Sequence, residues 1–132
     1  KLSEHCVSNV PWYDPTAPLT KVVEKAFLKQ NPKDKLVFHG LNAGFTFEAV
    51  LIAADAFKRA KSTDPKVLAE AIRQTNITSK MTLGAPIKFS AKGQVEGIGS
   101  ACVQNLNLTP TVVLPTAAAT AKPVFPMPEY KA

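Results

Sequence analysis

The side chains able to do chemistry are few in this chain and widely spaced. Histidines stand at His5 and His39, and for neither is a local acid partner expected. His39 follows the apolar run KLVF, where a structural or surface histidine is expected ahead of a general base. Glu48 and Asp55 both fit one helix face, but about two turns, ~10 Å of rise, separate them, which is too far for a shared acid-base task. Cys6 and Cys102 have no metal-ligand spacing, so no metal site is expected. Free cysteine is readily buried, and two unrelated buried thiols are the expectation, with one long-range disulfide as the alternative. Asn76-Ile77-Thr78 fits the glycosylation acceptor pattern, a match too short to carry weight. No Gly-rich phosphate loop, helical pair of histidines or Gly-x-Ser-x-Gly elbow occurs. The chain therefore reads as non-enzymatic, with no cofactor implied.

Binding chemistry is better served. Trp12 and Tyr13 sit in a connector fixed by Pro11, Pro15 and Pro18, while Phe45 and Phe47 stand where a glycine loop enters an apolar helix. Loops at the edge of a layered sheet are where α/β folds place ligands. Phe47, Phe45, Trp12 and Tyr13 are thus the candidate ligand-binding residues, with ordinary core filling as the competing reading.

The elements that must position these rings follow from pattern and punctuation. VSNVPWYDPTAPL starts extended and then breaks at its prolines. Pro18 suits the first turn of a helix over residues 18–30, with Val22, Val23, Ala26 and Phe27 on one stripe. KLVFHG, residues 35–40, is a short candidate strand. A helix is expected over 45–60, capped by Thr46, with Phe47, Val50, Leu51, Ala54 and Phe57 as its buried stripe. From Phe47 to Ala54 its lone polar residue is Glu48, and a helix apolar around most of its circumference needs cover on several sides. A further helix spans 65–74, capped by Asp64 and started by Pro65. After Gly84, APIKF, GIGSACVQNL and TPTVVLP read as short strands, with SAKG a turn. The Ala- and Pro-rich tail from Thr116 is expected to be extended and to lie on a surface.

At 132 residues and 45% apolar composition, the chain fits one ordinary folded domain. Sixteen Lys and Arg against ten Asp and Glu give a charge of +6, but the bases are scattered along helix faces and ends. No aromatic residues interleave with them, so no nucleic-acid partner is expected. The opening KLSEHCVSNV lacks the pattern of a signal peptide, and no apolar run reaches the ~18 residues of a membrane span.

Four blocks, taken together, carry a resemblance: WYDPTAPLTKVVEKAF, NAGFTFEAVLIAADAFKRAKSTDPKVLAEAI, GAPIKFSAKGQ and QNLNLTPTVVLP. In order, spacing and content they resemble the C-terminal third of periplasmic solute-binding proteins of the branched-chain amino acid type, which feed ABC importers. That family has a helix beginning Tyr-Asp-Ala-Val before an acidic-Pro helix. Phe47-Glu48-Ala49-Val50 and Asp64-Pro65 stand in those places, and the Tyr to Phe departure removes a hydroxyl donor.

The resemblance implies an α/β architecture, helices layered on a mostly parallel sheet, here an incomplete fragment of a bilobal fold. It implies an interlobe crossing segment at 1–15, first-lobe helices and strands at 16–100, a crossing strand and turn at 101–115, and a tail at 116–132 returning to the second lobe. The function implied is a periplasmic or extracytoplasmic binding component, whose signal has been removed, for a branched-chain, apolar or aromatic amino or carboxylic acid. Phe47 and Phe45 would line the interlobe cleft, with Trp12 and Tyr13 at its hinge side. Its partners would be a small-molecule ligand, the importer permease, and the remainder of its own polypeptide or another copy to cover the apolar helix. Cys6 and Cys102 would fall near two crossings, making a disulfide that restrains closure a candidate. The same fold also serves ligand-sensing regulatory domains, and a non-binding oligomeric remnant is a further alternative.

Overall fold

A single long helix organises the architecture of the computed structural model, which describes residues 3–128. In chain order the elements are strand β1 (Val7–Pro11), helix α1 (Pro18–Gln30), a 3-10 turn (Leu36–Phe38), α2 (Gly40–Ala60), α3 (Pro65–Arg73), and strands β2 (Gly84–Phe89), β3 (Val95–Ile98), β4 (Ser100–Leu106) and β5 (Thr109–Leu114).

The expected mostly parallel sheet is not what forms. Strands β1, β4 and β5 make one sheet in that order, β2 and β3 make another, and every pairing is antiparallel. For β2–β3 and β4–β5 the short connections explain this. A parallel pair needs a crossover of a dozen or more residues, whereas a hairpin closes with a tight turn. Asn107 and Leu108 both adopt left-handed backbone between β4 and β5, which suits a two-residue hairpin turn. The Glu4 carboxylate fastens that turn, accepting from Asn107 N at 2.6 Å and Leu108 N at 2.9 Å, and these bonds hold its pKa below the usual value. The segments that the resemblance assigns to the crossings, 1–15 and 101–115, supply all the strands of the larger sheet.

Helix α1 has the bounds expected from Pro18, and α3 is capped as expected, with Asp64 Oδ1 accepting from Lys66 N and Val67 N. KLVFHG, however, is a 3-10 turn and no strand. Leu36 is buried within it and Phe38 is exposed. Helix α2 begins at Gly40, not near Phe45, so the glycine loop is itself helical and Thr46 is not the cap.

That earlier start changes which face of α2 is buried. Gly40, Gly44, Glu48 and Ala56 are the buried residues, in place of the expected stripe of Phe47, Val50, Leu51, Ala54 and Phe57. The reason is close approach. A Cβ at Gly40 would overlap the Tyr13 ring, so the glycine lets the helix sit against the connector. At about 100° per residue, the line through Gly44 and Glu48 lies roughly opposite Val50, Ala53 and Phe57. Val50 is consequently 64% exposed, and only 22% of the helix's apolar window is buried against the described chain. With 21 residues, α2 is long and apolar enough, by length and composition, to cross a membrane.

Two core clusters form among the described residues. Leu83, Ala101, Val103, Val112 and Ala118 make one, and Tyr13, Leu36 and Met81 make the other, flanked by Val23, Phe27 and Phe47. Trp12 packs against both and ties the larger sheet to the helices.

Candidate functional site

Glu48 is the point from which the site is built. It is buried on α2, and Oε1 accepts from Met81 N at 2.9 Å and Thr82 N at 2.6 Å. The Thr82 hydroxyl lies 2.7 Å from Oε2 and 2.8 Å from Oε1. A buried carboxylate is costly unless its lone pairs are met, and here the backbone of residues 81–82 meets them. Its oxygens are therefore committed to holding that segment against the helix. Lys80 does the converse, with Nζ donating to Thr82 O at 2.6 Å and Leu83 O at 2.8 Å. Burial lowers the Lys80 pKa, while the charges of Glu48 and Asp14 oppose that shift.

With residues 80–83 fixed in this way, α2 and the β2–β3 hairpin are held apart as the walls of an open apolar cleft of about 150 Å³. Phe45, Ala49 and Ile52 come from the helix side, and Ile87, Val95 and Ile98 from the hairpin side, with Glu48 and Lys80 also on its lining. Gly84 lies against Gly99 so closely that a Cβ on either would strike backbone, which lets the two hairpin strands meet. A cavity of roughly this size accepts one benzene-sized group.

The four candidate aromatics do not converge on one place. Phe45 alone reaches the cleft wall. Phe47 packs on the cluster of Tyr13, Leu36 and Met81, and the Trp12 and Tyr13 rings lie 5.7 Å apart with planes tilted by 31°. Tyr13 is buried, and that burial, with a smaller contribution from the Glu24 charge, pushes its phenol up to about 12. Trp12 Nε1 is buried without a hydrogen-bond partner among the described residues.

His39 gains an acid partner after all, with Nε2 2.7 Å from Asp34 Oδ2 on an exposed surface. Asp55 bonds Arg59, which also reaches Ala71 O at 2.7 Å and so ties α2 to α3. Cys6 is exposed and Cys102 half-buried, and both thiols are free. In the β1–β4 register Asn9 faces Cys102, so Cys6 lies three residues along the strand and on the opposite face. Three residues of strand span ~10 Å, beyond the ~7 Å that a disulfide bridges between Cα atoms.

Sequence reasoning did not find Lys80, Ile98 or the role of Glu48. The signal for the last was present: one carboxylate in an otherwise apolar half-helix needs a buried partner. The chain matches no family model, and no curated protein matches it.

Proposed function

We propose that this chain is the ligand-holding part of a non-enzymatic binding protein, the solute-binding component of an ABC importer. Its ligand is a branched-chain, apolar or aromatic amino or carboxylic acid, taken up in a periplasmic or extracytoplasmic compartment. The observation that carries this reading is the apolar cleft, where Phe45 and Ile98 offer an aromatic and an aliphatic wall beside the Glu48 carboxylate, which is bonded to the backbone of residues 81–82. The order and spacing of the sequence blocks support it from the other direction. The permease is the partner that would read the loaded state. The uncovered face of α2 favours one further partner, the remainder of the same polypeptide or another copy, and it equally supports a second reading as an oligomeric remnant.

The test is the thermal midpoint of the chain with and without a panel of aliphatic and aromatic amino and carboxylic acids. A ligand that binds only the folded form stabilises it by about 2.7 kcal/mol at a hundredfold excess over its Kd. A reproducible rise with one chemical class is expected. A cooperative melt that no acid moves would contradict the proposal.

A further inference from the structure

Residues 116–128 form neither helix nor strand, yet they are held. Ala118 lies in the core, and six residues on, the buried Gln104 side chain clamps Val124 from both sides of its peptide. Val124 N donates to Gln104 Oε1 at 2.9 Å, and Gln104 Nε2 donates to Val124 O at 3.1 Å, the paired contacts that a neighbouring strand would make. The next residue, Phe125, is 91% exposed. Pro123 and Pro126 restrict the backbone around it, so little freedom is left to lose when the ring is captured. An anchored, outward phenyl ring is a prong.

We propose that the cleft beside α2 receives the Phe125 side chain of a second copy of this chain. The inference rests on the cleft being a binding site, as read above, and names a macromolecular occupant for it. Size agrees, since the cleft volume suits one phenyl ring. Charge agrees as well. Lys122 is the charged residue of the described tail, and Glu96 on the cleft wall is exposed, standing opposite Lys88 in the β2–β3 register with Lys80 also on the lining. Prong and cleft are different surfaces, so the contact is heterologous and generates rings or open chains. It is also small, and association is accordingly weak.

Sedimentation velocity of the full chain from ~10 µM to ~1 mM tests this. Wild type is expected to associate progressively, and Phe125→Ala and Ile98→Asp each to weaken association at least ~10-fold. Mixed in equal amounts, the two variants should form a dimer and nothing larger, because one keeps the cleft and the other keeps the prong. Monomeric wild type throughout, association that Phe125→Ala leaves unchanged, or a mixture that stays monomeric would each overturn the proposal. The small-molecule reading is tested separately by thermal shift on Phe125→Ala, whose cleft is intact. Acids that raise its midpoint uphold that reading whatever sedimentation shows, and acids that leave it unmoved contradict it.

Discussion

Glu48 Oε1 lies 2.6 Å from the backbone nitrogen of Thr82, a contact spanning 34 residues that fixes one wall of the cleft to the segment beneath it. Glu48 is buried and Thr82 half-buried, so solvent replaces the bond only at a cost. Glu48→Ala would leave the amides of Met81 and Thr82 without their acceptor. The expected loss is about 2–4 kcal/mol of stability, read as a lower urea midpoint. Glu48→Gln keeps one acceptor oxygen and should lose less. Equal stability of Glu48→Ala and wild type would show that the contact carries no weight.

Two glycines one helical turn apart should respond in opposite ways. A Cβ at Gly40 overlaps the Tyr13 ring, and overpacking of that kind costs about 1–3 kcal/mol. A Cβ at Gly44 would meet Thr82 Cγ2 at 3.5 Å, an ordinary contact. Gly44→Ala should therefore be neutral or stabilise by up to ~1 kcal/mol through helix propensity. Denaturant curves on both variants check the contrast, and it is the reversed order that would refute the close packing of α2 on the connector.

Tyr13 makes stability depend on alkaline pH. Its phenol is raised from 10.0 to about 12 by burial first and by the Glu24 charge second, so the folded state favours the neutral ring. A group whose folded pKa is raised contributes fully below its unfolded value and loses that contribution as pH climbs through the folded value. Stability should thus fall across that interval, and Tyr13→Phe should flatten the fall. In a Tyr130→Phe background the phenolate absorbance reports Tyr13 alone, and ionisation near 10 in the folded chain would contradict its burial.

Strands β2 and β5 were legible because Gly, Asn and Pro punctuate them, and α1 and α3 were legible from Pro18 and from Asp64-Pro65, whereas GIGSACVQNL, expected as one strand, is divided at Gly99 between β3 and β4 in different sheets. Strand direction was not. Antiparallel pairing of β1 with β4 joins residues about two thirds of the chain apart, and no local spacing records it. The buried face of α2 was misread for a different reason. Periodicity marks the most apolar stripe, yet Gly40 and Gly44 allow a closer approach than any phenylalanine, and Glu48 finds backbone donors there. Phe45 was legible as a binding residue only as one of four rings, and packing alone separates it from Trp12, Tyr13 and Phe47.

The central claim, that the Phe45 wall holds a small apolar acid, is tested most directly by calorimetric titration of the acid giving the largest thermal shift. Wild type, Phe45→Ala and Phe47→Ala would be compared. Phe45 is 39% exposed at the cleft, so its truncation should spare the fold and weaken binding about 10-fold or more. Phe47→Ala should lower stability and leave the affinity of the remaining folded protein unchanged. Undiminished binding by Phe45→Ala, or an affinity lost only in Phe47→Ala, would contradict the account.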